Sequence, residues 1–428
     1  MKRGRTARRV GALLHHAGCV RRAVRAVPAA VAFALLCTAP AGCAVVDDSK
    51  PPGGAIRVTP EDGARDVPTD ARVEVSVPEG KLRSVRMQHK GKDAGRAIAG
   101  RFSADRRSWR PLPASAENAS GRGAGHGKGT VLELAGTYEL DVVAVDGEGD
   151  RVIRHATFST RVPPHRFVGY FRPEDGQTVG TAMIVSLEFS RPIADRAAVE
   201  RAIDVTSTPR VEIAPHWFGR NRLDFRPRTY WQPGTEVTLD LRLRDVRGAP
   251  GVYGTQRKQV TFTVGRDQRS VVDVDRGTLT VRQGGRKVDR LDITAGTKKN
   301  PTYNGRMVIS EKFQETRMNG DTVGFGGEYD IKDVPHAMRL TRSGTFLHGN
   351  YWAPERTFGK KNTSHGCVGL EDERGGDDKS PAGRFFHRSL IGDLVTVRGS
   401  HDRTVAADNG LGGWNMPWET WVRGSALN

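Results

Sequence analysis

Thr345-Phe-Leu-His348-Gly349-Asn-Tyr-Trp352, followed across a polar, Lys-rich loop by Asn362-Thr363-Ser364-His365-Gly366-Cys367-Val368-Gly369-Leu370, is the stretch on which the reading of this chain turns. It sets two histidines near a thiol. A free thiol has a pKa of about 8.5, so a nucleophilic cysteine gains from a base or an imidazolium that enlarges its thiolate fraction. His348 closes an apolar strand and is expected to reach the thiol across a β-turn region. His365 is two positions from Cys367 with Gly366 between; in extended backbone its side chain points away from the thiol, which suits it to bracing the loop. Gly366 permits backbone conformations closed to other residues and leaves room for a substrate carbonyl. Backbone N–H groups around Cys367 are then the expected oxyanion donors. The residues alone leave a second reading open, in which Cys367 is an inert small hydrophobe and both histidines are structural hydrogen-bonders.

Working outward, 428 residues exceed one compact core, since a domain usually holds roughly 100 to 200. The 51 glycines and 23 prolines against 7% aromatic residues point to many short strands joined by turns, so the expected fold class is mainly β. Of the net charge of +18, eight positive charges (Lys2, Arg3, Arg5, Arg8, Arg9, Arg21, Arg22 and Arg25) precede any acidic residue, leaving 18 − 8 = +10 for the rest. That surplus favours a polyanion such as anionic lipid or acidic wall polymer. The basic residues are scattered and no zinc-finger spacing, RNA-binding aromatic signature or long basic helix accompanies them, so nucleic acid is not the expected partner.

The basic start runs into Ala29 to Leu36, far shorter than the roughly 20 apolar residues of a membrane span, and reads as an export signal. It ends in Thr38-Ala39-Pro40-Ala41-Gly42-Cys43, which resembles the lipobox of bacterial lipoproteins, whose cysteine carries a diacylglyceryl anchor, although Pro40 stands where Leu is usual. Residues 1–43 are therefore read as a signal peptide with lipobox and 44–54 as a tether; ordinary secretory cleavage near Ala39 to Ala44 is the alternative. Either places the mature protein outside the cytoplasmic membrane. With Cys19 and Cys37 in the removed segment and Cys43 as anchor, Cys367 is the single thiol of the folded body, and a disulfide framework is excluded.

Alternating strands at Arg72 to Val77, Leu132 to Leu134, Tyr138 to Val145 and Val152 to Thr160 predict an antiparallel sandwich over 55–162, with Ser120 to Thr130 as a glycine-rich loop. Val162-Pro163-Pro164 marks a boundary. A second sandwich over 163–265 is read from Ala182 to Ser190, Arg222 to Phe225, Glu236 to Leu243 and Gln259 to Val264, with a short helix at Ala197 to Ile203. From 266 to 400 the pattern is a third, β-rich domain with strands at Thr278 to Val281 and Lys287 to Asp292. Glu311 to Val334 reads there as a long irregular, glycine-rich stretch of the kind that forms lids. Residues 401–428 form a tail whose Trp414, Trp418 and Trp421 predict docking on a domain surface.

His348-Gly349 followed by Ser364-His365-Gly366-Cys367 resembles the signature of the L,D-transpeptidase (YkuD-type) family. The resemblance extends over nearly all of the exported chain, because two immunoglobulin-like domains, a catalytic domain and a tail reading Gly410-Leu-Gly-Gly-Trp414-Asn415-Met-Pro417-Trp418 look like its multidomain actinobacterial branch. The resemblance implies Cys367 as nucleophile, His348 as base and the Gly349 carbonyl as the group that fixes the imidazole tautomer. His365 and Gly366 fall in the motif loop and Ser364 supports it, Tyr329 matches a lid tyrosine, and Trp352 and Asn362 match residues lining the site. Met318 to Tyr329 is shorter than the corresponding lid. Where the family carries Arg, and this branch Asn, two positions after the cysteine, this chain has Gly369; Arg339, Arg342 and Lys361 are candidates to replace the lost side chain.

The implied chemistry is two-step acyl transfer. The thiolate attacks a donor tetrapeptide stem of peptidoglycan, D-alanine leaves, and a side-chain amine of an acceptor stem resolves the thioester into a 3→3 cross-link. No metal or organic cofactor is called for, and carbapenems are expected covalent inhibitors. Hydrolysis by L,D-carboxypeptidase action, or a catalytically weak wall-binding lipoprotein, are the rival readings.

Overall fold

Alternation of apolar and polar side chains builds most of this molecule. In Thr137–Val145 every second residue (Tyr138, Leu140, Val142, Ala144) is buried, which is what a strand covered on one face requires. The computed structural model describes residues 56–90, 97–112, 132–323 and 326–428, all within one unit, Pro51–Asn428. The basic start, Cys43 and the stretch Ser120 to Thr130 lie outside the described residues.

Residues 56–160 form two facing sheets. One is ordered Arg57–Thr59, Glu74–Ser76, Ser108–Pro111, Gly100–Phe102; the other Ala64–Val67, Arg151–Thr160, Thr137–Val145, Lys81–Lys90, Ala97–Ile98. Val75, Leu82, Met87, Trp109, Leu140 and Phe158 fill the space between them. Leu132 to Leu134, expected as a strand, is not one. Leu132 is 1% exposed and packs in the core, but the chain turns at Ala135, at φ +56°, before a ladder can start. The strand Lys81–Lys90 was hidden by its charges: its ten residues put only Leu82 and Met87 fully inside.

Residues 165–264 form a second sandwich. Its main sheets are Gly169–Arg172, Val185–Phe189, Arg222–Pro227, Ile213–Phe218 and Thr178–Val179, Arg257–Val264, Glu236–Arg242, Ile203–Thr208. The helix Arg196–Arg201 is capped by the Asp195 carboxylate. Its core does not stop at residue 265, for Val308, Leu394, Leu411 and Trp414 belong to the same apolar cluster.

A nine-stranded sheet carries the rest. In chain order its strands are β1 (Gln268–Asp273), β2 (Thr278–Gln283), β3 (Arg286–Thr294), β4 (Gly305–Val308), β5 (Glu311–Asn319), β6 (Asp330–Arg339), β7 (Phe346–Asn350), β8 (Val368–Glu371) and β9 (Leu394–Arg398). The spatial order is β4-β9-β1-β2-β3-β8-β7-β6-β5, with β1/β9 and β7/β8 parallel. Parallel neighbours need a crossover, and between β7 and β8 it is the polar loop that ends in the cysteine motif. The expectation of an irregular stretch from Glu311 to Val334 is corrected. β5 and β6 form an antiparallel hairpin, and only its tip, around the 3₁₀ turn Gly320–Val323, lacks strand geometry. As an edge strand β5 has a single buried residue, Met318, among half-buried and exposed ones, so no alternating apolar signal marks it.

The tail from Val405 onward lies against both the second sandwich and β4. Trp414 Nε1–H donates to Ala182 O at 2.7 Å and Trp421 Nε1–H to Ala214 O at 2.9 Å, while Asn415 Oδ1 accepts from Arg306 N–H at 2.8 Å. The Arg226 guanidinium stands 4.7, 5.2 and 4.6 Å from the ring centres of Trp414, Trp418 and Trp421. Burial lowers the Arg226 pKa to about 10, and its Nε is the one buried side-chain polar atom without a partner among the described residues.

Candidate active site

The parallel pairing of β7 with β8 decides the geometry. Its register, Leu347↔Val368 and His348↔Gly369, puts Phe346, His348 and Asn350 on one face together with Cys367 and Gly369. His348 therefore shares a face with the cysteine from an adjacent strand and does not approach across a β-turn region. The correction follows from strand order, because a turn cannot connect parallel neighbours.

His348 is 4% exposed, and its Nδ1 lies 2.8 Å from the Gly349 carbonyl oxygen. A carbonyl only accepts, so the proton sits on Nδ1 and the Nε2 lone pair is left free; no hydrogen bond to Nε2 occurs among the described residues. Trp352 stacks on the imidazole at 5.5 Å and 16° while remaining 42% exposed, so it covers one side of the ring and still faces solvent. Burial lowers the His348 pKa below its ordinary 6.5, against the Gly349 hydrogen bond and the charge of Asp372, so the ring is neutral at pH 7. Gly349 is required by that carboxylate: a Cβ there would lie 2.1 Å from Asp372 Oδ2. Asp372 is held from behind, its Oδ2 2.7 Å from Nδ1 of the buried His336.

Cys367 is half-buried and unpaired with any other cysteine among the described residues. Its Sγ–H donates to Gly344 O at 3.4 Å, and Sγ accepts from Phe346 N–H at 3.4 Å, so the resting thiol is not hydrogen-bonded to His348. Burial pushes its pKa up to about 11, outweighing the Phe346 N–H and the Arg339 charge that both favour thiolate. Gly366 has φ +115°, a conformation that glycine takes without strain. Its N–H is used on Ser364 Oγ at 3.1 Å, which leaves the Cys367 N–H as the backbone donor beside the thiol. Ser364 Oγ–H in turn donates to Cys367 O at 2.6 Å and so closes the motif loop on itself.

The hairpin tip comes over this loop. His365 Nε2 is 2.9 Å from Glu328 Oε2, its ring is 5.1 Å from that of Tyr329, and Lys299 Nζ is 3.6 Å from Glu328 Oε1. Tyr329 and Cys367 pack on one small apolar cluster of Met318, Val334, Ala337 and Phe346. The Tyr329 phenol is pushed up to about 12 by burial and the nearby thiol. Asn362 faces elsewhere. Its Oδ1 accepts from Ala295 N–H at 3.0 Å and its Nδ2 donates to Val274 O at 3.4 Å, so its side chain ties the loop to the sheet. Arg339 is paired with Glu311 at 2.5 Å and Arg342 with Glu188, in a groove shared with Arg172 and Arg222. Asn350, beside His348, was not singled out from the sequence; its place in the site depends on the register of β8, which the sequence does not display.

With the geometry in view, comparison with known proteins gives the following. Residues 267–397 match the model of the L,D-transpeptidase catalytic domain, and residues 64–247 that of a bacterial Ig domain. The chain is 32% identical over 368 residues to L,D-transpeptidase 2 of Mycobacterium tuberculosis, covering 85% of this chain and 83% of that one. It is 30% identical over 387 residues to L,D-transpeptidase 5 of the same species, covering 88% and 78%. Among solved structures, that of the L,D-transpeptidase LdtMt1 in complex with imipenem is similar with a TM-score of 0.45 and 26% identity, over 55% of this chain and 100% of that one.

Proposed function

Since the chain belongs to the L,D-transpeptidase family and is an acyltransferase of that kind, we propose that it forms 3→3 peptidoglycan cross-links through a thioester on Cys367, with His348 as base. The observation that carries the assignment of roles is the His348 tautomer. Gly349 O holds the proton on Nδ1, so the free Nε2 lies on the sheet face that also bears Cys367. When a donor carbonyl enters, Sγ leaves Gly344 O and passes its proton to Nε2, and the thiolate adds to the carbonyl carbon. The Cys367 N–H meets the oxyanion. The imidazolium returns the proton to the leaving D-alanine amine as the C–N bond breaks. An acceptor amine, deprotonated by Nε2, attacks the thioester and releases Sγ. Trp352 and Tyr329 wall the donor channel, His365 holds the hairpin tip over it, and Ser364, Gly366 and Asn362 set the loop that presents the thiol.

Carbapenems offer the same carbonyl chemistry and acylate Cys367. The test is intact mass after carbapenem exposure, together with product analysis of a donor tetrapeptide with and without an acceptor amine. No adduct on the native chain, or an equal adduct on Cys367→Ala, refutes the reading, and product formed only with water makes the enzyme a carboxypeptidase. We further propose export and lipid anchoring at Cys43, supported by the small residues that precede it. Cys43→Ser is then expected to move the protein from membrane to soluble fractions, and an unchanged distribution refutes the anchor.

A further inference from the structure

Two neighbouring facts in the cleft concern residues that the mechanism above does not use. Gly369 lies between His348 on β7 and Thr294 on β3 in one lateral row of the sheet. A Cβ at 369 would stand 2.9 Å from Thr294 Cγ2, 3.0 Å from Asn350 Nδ2 and 3.2 Å from Asn350 Cβ. The space a side chain at 369 would need is therefore taken by the amide of Asn350, which arrives from the adjacent strand.

Asn350 is 4% exposed. Its Oδ1 accepts from Ala353 N–H at 3.0 Å, and because an N–H needs an acceptor, that bond fixes which end of the amide is oxygen and which nitrogen. Nδ2 donates to nothing among the described residues, yet it is not sealed from solvent. A donor that no protein group meets, in a side chain otherwise buried, is left for solvent or a ligand to meet. This one opens on the face that carries His348 and Cys367, and no charged group is hydrogen-bonded to it, which suits a neutral acceptor.

We infer that Asn350 is a substrate-binding residue of this active site, its amide filling the place a side chain at 369 would need and its Nδ2–H donating from there to a peptide carbonyl oxygen of the acyl donor. The inference rests on the acyl-transfer reading given above. It also accounts for the missing side chain at 369: the amide is supplied by β7 in place of β8, one row along the same face.

Asn350→Asp isolates the donor, because the aspartate keeps an oxygen for Ala353 N–H and replaces Nδ2 with an acceptor that repels the carbonyl. Acylation of the full chain by a donor tetrapeptide is followed by intact mass for the native protein, Asn350→Asp, Asn350→Ala and Asn350→Ala/Gly369→Asn. The expected result is a roughly tenfold or larger rise in donor KM for both single variants, larger for Asp than for Ala, with kcat changing less. The rate of Cys367 alkylation by iodoacetamide in the absence of donor stays at the native value. The double variant, which returns an amide from β8 into the emptied space, recovers part of the loss. Native donor KM in both single variants, or a fall in iodoacetamide reactivity that parallels the loss of acylation, overturns the inference. A folded double variant no better than Asn350→Ala overturns the shared-space argument. Absence of acylation in the native chain would instead overturn the transpeptidase reading itself.

Discussion

The resting thiol is the most exposed point of the mechanism to experiment. With burial pushing the Cys367 thiol up to about 11, roughly one molecule in ten thousand carries a thiolate at pH 7. The thiol donates to Gly344 O and the neutral His348 makes no bond to it, so no thiolate–imidazolium pair exists before substrate arrives. Alkylation of Cys367 by iodoacetamide, read by peptide mass mapping between pH 6 and pH 10, is therefore expected to rise close to tenfold per pH unit without a plateau. His348→Ala is expected to leave that profile unchanged while slowing carbapenem acylation by about a hundredfold or more, the usual contribution of a positioned base. The two readouts separate a resting proton state from a proton transfer made during attack. A pH-independent alkylation rate from pH 6 to pH 8, or a resting profile that moves when His348 is removed, would refute the reasoning.

Further outcomes follow from the same structure. Because His348 sits below its ordinary 6.5, the acid limb of kcat/KM is expected beneath pH 6.5, and a midpoint above that value contradicts the assignment. The same depression means the unfolded chain binds a proton that the folded one refuses, so this group subtracts stability as pH falls below 6.5. Gly349→Ala drives a Cβ against Asp372 Oδ2 at 2.1 Å, and loss of activity with Cys367 still alkylatable is the expected pattern. Trp421→Ala removes a fully buried ring and its bond to Ala214 O, and is expected to lower unfolding free energy by about 3 to 5 kcal/mol in urea titration. His365→Ala removes one of the two partly exposed contacts of Glu328, the other being Lys299, so KM for donor is expected to rise several-fold with little change in melting temperature.

The candidate site residues could be picked out in the sequence because they are close in the chain and chemically unusual: Gly349 beside His348, and Ser364 to Cys367 as one run. The two sandwiches were legible wherever alternation was clean, as in Thr137–Val145 and Glu236–Arg242. What escaped was whatever needs a partner strand to acquire meaning. Lys81–Lys90 and Glu311–Asn319 escaped as strands because few of their residues are buried, two in the first and one in the second. Asn350 reads as one more polar residue until the register of β8 places Gly369 beside His348. Asn362 fell within the motif by position, yet its amide serves the backbone of Ala295 and Val274, a choice set by tertiary contact alone. The enclosure of Arg226 by three tryptophans joins residues about two hundred positions apart, and local composition carries no trace of it.

The apolar cluster of the second sandwich takes in Val308, Leu394, Leu411 and Trp414 from beyond residue 265, and the Arg226 enclosure fastens the same seam. In kinematic terms there is no joint there. The cleft holding Cys367 is a tool fixed to a stiff shank, presented at one angle and one distance from the start of that sandwich. Motion that brings two peptides to one thiol is then expected from the stems, or from the chain ahead of residue 163, before it is expected from this seam.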